Sequence, residues 1–407
     1  MNGAVATPAA LRAPPGLRIG VALFLGAWCL VAMFPLLWIT VMSFRAPVDA
    51  LSSNPLVVLL GPVTRTTGAG LSVIDVALCT GLVFALIAAG RRSVPAAAAW
   101  FAGAGGTMIG WLAAGLAFLL LAGALMLWVL PLVAKLLNWA LAPLPMLGSL
   151  AVPAIGITLD HYRAVWIEHG FTHNLANSMI VTIGVVAVSL TVGTLAGYGL
   201  ARSQSPLAFW LLIAALVFRA LPHSVLAAGY IPAFLNSRQL LAPLWTSPAT
   251  GWFFHLFAAG PPLLYGQPLA IIIVLVSINQ PFTIWMLRSF FQNIPTELDE
   301  AARVDGCSHF GAFWRAIIPV MWPGVITTGL FSFLLAYNDY LVTALLLDAQ
   351  SMTMVPAITQ FLNRDTRAAD QIEAIAAAVS ITAPLFLLVL AFQRQIVSGL
   401  TQGAVKG

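Results

Sequence analysis

The residues that could do chemistry are few and lie scattered along the chain. The six histidines have no metal-ligand spacing on a single helix, so the sequence predicts no metal site. The two lysines, Lys135 and Lys406, lack the Gly-x4-Gly-Lys-Ser/Thr context of a phosphate-binding loop. We find no paired carboxylates within apolar segments and no cluster of catalytic side chains. The sequence therefore predicts a chain that is not an enzyme and that carries no cofactor of its own.

The composition is that of a polytopic membrane protein. Hydrophobic residues make up 60% of the 407 residues, charged residues only 8%, and the mean hydropathy is +0.96. The formal charge of +5 comes from scattered residues without a basic stripe, which argues against a nucleic-acid partner. We therefore predict an all-α protein embedded in a lipid bilayer.

Eight apolar runs have the length expected of bilayer-spanning helices. They cover approximately residues 19–43, 71–90, 107–134, 177–200, 207–233, 268–290, 323–347 and 376–397. The pair at 71–90 and 107–134 could instead form a re-entrant pair that never crosses. Placing Arg91 and Arg92 in the cytosol follows the positive-inside tendency and favours two complete crossings.

One amphipathic segment, Pro295 to Pro319, lies between two of these runs. Thr296 and Asp299 have the spacing of a capping box, which predicts a helix that begins at Thr296. Gly306 can adopt the left-handed conformation that ends such a helix, and Ser308 can cap a second one. The second helix should end at Pro319 and carry an aromatic face made of Phe310, Phe313, Trp314 and Ile317.

This segment resembles the EAA loop of ATP-binding-cassette importer permeases of the carbohydrate branch. The resemblance rests on Glu300-Ala301-Ala302, on Asp305-Gly306 and on the Phe-Trp-Arg run that leads to Ile318-Pro319; Ala316 and Ile318 depart slightly from the pattern. It implies a coupling helix that seats on a cytosolic ATPase subunit. The residues implied in this contact are Glu300, Ala301, Ala302, Asp305, Gly306, Phe310 and Phe313. A plain amphipathic helix on the lipid surface is the alternative.

Three further stretches resemble the same family. They are the end of the first helix at 34–45, the external segment at 159–166, and the C-terminal Gly-Ala-Val-Lys-Gly, which is similar to the tail of the maltose-type second permease subunit. That tail implies a second ATPase contact through Gln402 and Lys406, although it could also be a frayed terminus.

The resemblance implies a complete transport assembly. The fold would be that of a type I importer, with six core helices plus two inserted spans. The implied partners are a second permease in a heterodimer, a dimer of ATP-binding subunits that holds ATP and Mg, and an extracytoplasmic solute-binding protein that delivers a sugar, oligosaccharide or polyol. The chain would lie in a bacterial inner membrane with both termini in the cytosol.

Five regions follow from these assignments. They are a cytosolic tail (1–18), a first transmembrane helix (19–45), an inserted segment with two spans (46–158), the permease core with its coupling loop at 295–319 (159–398) and a cytosolic C-terminal tail (399–407). We assign no chemistry to the insertion.

A few polar groups fall inside apolar runs, where they are costly and tend to line pathways or pair. Arg219 precedes Pro222, and Tyr337-Asn338-Asp339 matches a family signature, so all four are candidates for the substrate pathway. Hydrogen bonding between helices or gating would explain them equally well. The external loop from Asp348 to Glu373 either faces the solute-binding protein or is a simple solvated loop.

Two other classes of protein remain as alternatives. An ion-coupled secondary transporter would need carboxylates within the membrane, for which Asp75 and Asp339 are the candidates. A membrane-embedded enzyme would need clustered catalytic side chains at one interface.

Overall fold

The computed structural model describes residues 14–105, 107–144, 148–203, 205–256, 258–363 and 367–402. These form two compact units. The first takes in Met1–His161 with Arg367–Ala376, and the second takes in Tyr162–Thr366 with Ala377–Gly407.

The elements of the first half of the chain, in order, are α1 (Pro15–Ser43), α2 (Pro47–Ala50), α3 (Pro55–Leu60), α4 (Pro62–Thr67), β1 (Ala69–Ser72), α5 (Val73–Gly105), α6 (Thr107–Ala124), a π-helical turn (Leu125–Val129), α7 (Leu130–Leu141), α8 (Gly148–Ala151), β2 (Pro153–Ile157), α9 (Asp160–Arg163), a second π-helical turn (Ala164–Glu168) and α10 (Phe171–Arg202).

The elements of the second half are α11 (Pro206–Arg219), α12 (His223–Leu235), α13 (Ser237–Thr246), α14 (Gly251–His255), α15 (Pro268–Gln292), α16 (Glu297–Val304), α17 (His309–Ala312), a third π-helical turn (Phe313–Ile317), α18 (Ile318–Tyr337), α19 (Leu341–Leu346), α20 (Met354–Asn363) and α21 (Ala368–Gln402).

The first unit contains a two-stranded antiparallel ribbon. β1 pairs with β2 so that Ala69 faces Ile157 at one end and Ser72 faces Pro153 at the other. Because Ser72 and Pro153 are paired, the chain between the strands, from Val73 to Val152, begins and ends at neighbouring positions of the ribbon. The inserted segment therefore contains two long helical stretches, α5 and α6–α7, that begin and end at this ribbon. We call residues 73–152 the excursion.

Arg45 holds the base of this ribbon. Its guanidinium is buried and donates to the carbonyls of Val58, at 2.7 Å, Leu59 and Gly156. Burial lowers the pKa of this guanidinium, while the nearby Asp49 carboxylate acts in the opposite direction. One side chain therefore joins α3 to β2.

A capping box starts the excursion. The Ser72 hydroxyl accepts from the Asp75 amide at 3.1 Å, and the Asp75 carboxylate accepts from the Ser72 amide at 2.7 Å. Asn138 of α7 donates to Asp75 at 2.8 Å and accepts from the Ser72 hydroxyl at 2.9 Å. These bonds tie the start of α5 to the end of α7.

The second unit is built around α10, α15 and α18. Gly193 and Gly197 let α10 approach α15 closely, because a Cβ at Gly193 would lie 2.6 Å from the Thr283 methyl group. Between α15 and α18, Asn279 donates to the Ser332 hydroxyl at 2.7 Å, and both side chains are buried. The helices are thus held together by close approach at small residues and by a buried side-chain hydrogen bond.

In the described chain, six helices are long and apolar enough to cross a membrane. They are Gly16–Ser43, Val73–Ala98, Phe171–Arg202, Pro268–Gln292, His309–Tyr337 and Ala368–Gln393. The other two predicted spans are divided into shorter apolar helices. The run at 207–233 is interrupted between α11 and α12 at Pro222, which has no amide hydrogen, and the run at 107–134 continues through a π-helical turn ahead of Pro131.

Several predicted boundaries were wrong. Pro319 does not end the second helix of the amphipathic segment, because a π-helical turn accommodates it near the start of α18 and the helix continues to Tyr337. The span predicted at 323–347 ends at Tyr337, and α19 follows as a separate helix. The run predicted to end at residue 90 continues as α5 through Arg91 and Arg92, and α1 already begins at Pro15.

Candidate functional site: the segment between α15 and α18

The first helix of the amphipathic segment, α16, begins after Thr296 as predicted, but its capping box does not form. The Thr296 side chain makes no capping hydrogen bond. The Asp299 carboxylate instead accepts from the Tyr198 hydroxyl at 2.6 Å and pairs with the Arg202 guanidinium at 2.7 Å. The carboxylate therefore bonds to a phenol and pairs with a guanidinium outside α16, and the bond from the phenol to this anionic acceptor is charge-assisted.

A glycine corner ends α16. Gly306 has a φ of +88°, and its amide donates to Arg303 while the Cys307 amide donates to Ala302, both at 3.0 Å. This is the hydrogen-bond pattern of a Schellman motif. The predicted left-handed role of Gly306 is confirmed.

Ser308 caps the second helix, also as predicted. Its hydroxyl accepts from the Gly311 amide at 3.1 Å. From His309 the helical path runs through α17, the π-helical turn and α18 without a break. The second half of the amphipathic segment is therefore one piece with a membrane span.

The predicted aromatic face is divided between the inside and the outside of the unit. Phe313 and Ile317 are buried, at 3% and 0% exposure, in a cluster with Leu287, Phe291 and Met321. Phe310 and Trp314 are exposed. Phe313 and Ile317 are the first and last residues of the π-helical turn and lie four positions apart, so they occupy nearly the same side of the helix.

The outward surface of the segment is both apolar and acidic. Val304 is 87% exposed, Phe310 67% and Trp314 62%. Glu300, Ala301, Asp305 and Gly306 are also exposed, while Ala302 is half-buried. We call Glu300, Ala301, Val304, Asp305, Gly306 and Phe310 the outward face. Phe313 supports this face from behind and is not part of it.

Sequence reasoning missed the inward contacts of α16. Tyr198 and Asp299 are 101 residues apart, so no local spacing links them. With Arg202, Thr296, Glu300, Arg303, His309 and Ala312 they line a cavity of about 300 Å³ beside α16. Arg202 also donates to the carbonyls of Phe291, at 3.3 Å, and Ile294, at 3.0 Å.

The four residues predicted to line a substrate path make different contacts. Arg219 lies at the end of α11, with its guanidinium carbon 4.4 Å from the centre of the Phe282 ring, which is a cation–π contact. Tyr337 is buried and donates to the Ile381 carbonyl at 3.0 Å. Asn338 follows the end of α18 and is exposed.

Asp339 bonds to the first turn of the next helix. Its carboxylate accepts from the Thr343 amide at 3.0 Å, at the start of α19. Asp75 likewise belongs to a capping box. Both candidate carboxylates of an ion-coupled transporter thus have structural hydrogen bonds.

The structure describes only one of the two residues predicted to make the C-terminal ATPase contact. Gln402 is the last residue of α21. Lys406 lies outside the described residues, as do positions 364–366 of the external loop.

The family described as binding-protein-dependent transport system inner membrane component matches residues 189–402, which include α15 to α18 and the whole amphipathic segment. The chain belongs to this family. It is therefore a multi-pass inner-membrane permease of a binding-protein-dependent importer. The segment that resembles the EAA loop lies within the residues matched by the family.

Relatives extend the match over more of the permease. The trehalose transport system permease protein SugB of Mycobacterium tuberculosis is 31% identical over 252 residues, which cover 62% of this chain and 83% of that protein. The diacetylchitobiose uptake system permease protein DasC of Streptomyces coelicolor is 32% identical over 255 residues, covering 62% and 82%. The maltodextrin permease MdxG of Bacillus subtilis is 28% identical over 253 residues, covering 61% and 81%.

Solved transporters are also similar to the chain. A chain of a bacterial ABC transporter for alginate import has a TM-score of 0.44 and 19% identity, with 69% of this permease and 95% of that chain covered. A chain of the methionine transporter MetNI has a TM-score of 0.40 and 17% identity, with 58% and 97% covered.

Proposed function

We propose that this permease forms half of the translocation path of an ATP-driven importer for a sugar, oligosaccharide or polyol. The other half is a second permease in a heterodimer. An extracytoplasmic solute-binding protein delivers the substrate, and a dimer of separate ATP-binding subunits holds ATP and Mg. The trehalose, diacetylchitobiose and maltodextrin systems named for three relatives support the carbohydrate class.

The observation that carries the proposal is the outward face of the amphipathic segment. Val304 and Phe310 are exposed on the two sides of the Gly306 corner, while buried Phe313 and Ile317 hold the helix after the corner against α15. Exposed apolar side chains on a firmly held surface are typical of a docking site for another protein. We infer that the ATP-binding subunit seats here, with Glu300 and Asp305 at the edge of the contact.

The orientation follows from this assignment. The ATP-binding subunits lie in the cytosol, so α16 and both termini face inward, and Gln402 and Lys406 make a second contact with the ATPase. The permease itself performs no covalent chemistry. Alternating exposure of a path between the two permeases moves the substrate, and Arg219, Tyr337, Asn338 and Asp339 remain candidates for that path.

Copurification from native membranes tests the docking site. The tagged permease should carry an ATP-binding subunit, a second permease and a solute-binding protein, and Phe310→Ser should lose the ATP-binding subunit. Phe386→Ser is the matched control, because Phe386 is 62% exposed but lies on α21. Equal recovery of the ATPase with both variants would contradict the proposed site, and a native permease that purifies alone would contradict the importer assembly.

Substrate class needs a separate test. Proteoliposomes that contain the complete assembly should take up a labelled disaccharide only when ATP is inside and the solute-binding protein is outside. Uptake driven by a proton or sodium gradient without ATP would instead support ion coupling.

A further inference from the structure

Helix α10 makes side-chain contacts with a loop or turn at each of its ends. Near its C-terminus, Tyr198 and Arg202 hold Asp299, which lies in the first turn of α16. Near its N-terminus, several polar side chains hold the segment that follows α19. We propose that α10 acts as a rigid rod that transmits the motion of α16 to residues 348–354, which we call the outer segment. The inference rests on the proposed function, because α16 must be the ATPase-coupling helix.

The inner contact, which we call the Asp299 clamp, consists of Tyr198, Arg202 and Asp299. The side chains of Arg202 and Asp299 are only 18% and 16% exposed, so their attraction is less screened than that of a surface pair. The Tyr198 ring packs against Phe313 and Phe291, with centroid separations of 4.8 and 5.5 Å. Asp299 is therefore joined to α10 and, through this ring, to the buried cluster.

The outer contact is made by four side chains in the first turns of α10. His173 Nε2 lies 2.6 Å from the Gln350 carbonyl, and Asn174 donates to the Met352 carbonyl at 2.9 Å. Asn177 donates to both carbonyls, at 3.1 and 3.2 Å, and the Ser178 hydroxyl accepts from the Met354 amide at 2.8 Å. These bonds attach the backbone of the outer segment to α10.

Between its two contacts α10 can act as a rigid body. The 21 steps of the helix from Asn177 to Tyr198 span about 32 Å at 1.5 Å per residue. The close approach of Gly193 to Thr283, and of Gly197 to the Arg288 backbone, leaves little room for the helix to bend toward α15. A shift imposed on Asp299 should therefore reach Asn177.

Hydrogen exchange on the complete importer tests this rod. The assembly, copurified from native membranes, is compared with and without the non-hydrolysable ATP analogue adenylyl-imidodiphosphate with Mg. In the native assembly the nucleotide should change the exchange of amides in residues 348–356. Asp299→Asn and Tyr198→Phe should remove most of this change while the ATPase stays bound.

Two control variants separate the clamp from a general structural role. Asp299→Glu retains the charge that pairs with Arg202 and should restore the nucleotide-dependent change. Glu297→Gln removes an exposed carboxylate from the same helical turn and should leave the change as in the native assembly. Transport per ATP hydrolysed should fall by about tenfold or more in Asp299→Asn, the factor that corresponds to the loss of a hydrogen bond to a charged group, and should recover in Asp299→Glu.

The failing results are distinct. A nucleotide-dependent change at 348–356 that is the same in Asp299→Asn as in the native assembly would overturn the rod. Loss of the ATPase from Asp299→Asn would also overturn it, because the clamp would then belong to docking. If the native permease binds no ATPase at all, it is the proposed function that fails, whatever the clamp does.

Discussion

At the scale of single residues, Gly306 decides the shape of the outward face. Its φ of +88° lies in the left-handed region, yet a Cβ added there would meet nothing within 4 Å. The requirement for glycine is therefore conformational and not steric.

Substitution at this corner should follow the backbone preference of the new residue. Gly306→Ala should cost roughly 1–2 kcal/mol at the corner, and Gly306→Asn less, because asparagine tolerates the left-handed region. We expect ATPase copurification to fall in the order glycine, asparagine, alanine. Gly199→Ala is the control, since Gly199 lies in α10 and a Cβ added there would meet nothing within 4 Å. A native level of ATPase with Gly306→Ala would refute the role of the corner.

Any effect of Phe313 on ATPase docking must be indirect. It is 3% exposed and packs against Tyr198 and Phe291 behind the outward face. We expect Phe313→Ala to destabilise the permease by about 3–5 kcal/mol, the usual cost of emptying an aromatic core site. Thermal unfolding of the purified permease measures this, and Phe310→Ala, at an exposed site, should change the stability far less.

At the scale of elements, the hydrogen bonds at the start of α5 give a structural role to Asp75, a carboxylate that an ion-coupled transporter could have used. Asp75 completes the capping box with Ser72 and accepts from Asn138, so three polar groups satisfy one another. A carboxylate whose hydrogen bonds complete a helix cap has a structural role, and this role requires no bound ion.

This role predicts a separation between stability and transport. Asp75→Asn removes the charge that the cap uses and should lower stability by about 1–2 kcal/mol. ATP-driven uptake should remain, per assembled complex, at the native level. Thermal unfolding and uptake are measured on the same preparation, and a loss of uptake without a loss of stability would revive an ion-coupled mechanism.

The elements also show which features the sequence could reveal. Gly306 and Ser308 were predictable because a left-handed corner and a helix cap depend on neighbouring residues only. The burial of Phe313 was not, because the rings that cover it, Tyr198 and Phe291, lie on other helices. The clamp could not be predicted either, since folding alone brings Tyr198 and Asp299 together. The ribbon was missed for the same reason, because its two strands flank a long excursion.

At the scale of the whole molecule, the excursion is organised as a separable piece. Ser72 and Pro153 are register partners in the ribbon, so its two ends already lie side by side. The fragment between them contributes α5 to α8 to the first unit. The family match at 189–402 does not include it.

The excursion should therefore be removable. Replacing residues 73–152 with Asn-Gly supplies a two-residue hairpin turn between Ser72 and Pro153. We expect the shortened permease to reach the membrane and to copurify with the ATP-binding subunit. Disruption of the ribbon base by Arg45→Ala is the informative comparison, since it should destabilise the same region without shortening the chain. Failure of the shortened protein to bind the ATPase would show that the core depends on the excursion.

The unbroken helical path from His309 to Tyr337 has a geometric consequence. Its 29 residues make a lever about 44 Å long, which exceeds the roughly 30 Å thickness of the hydrocarbon layer. On such a lever a tilt of about 5° at one end displaces the other by about 4 Å. A small rotation at Phe310 would thus move Tyr337 and Asn338 by more than the length of a hydrogen bond. Opening and closing around the substrate would then need only a slight change of angle, with no unfolding of the helix.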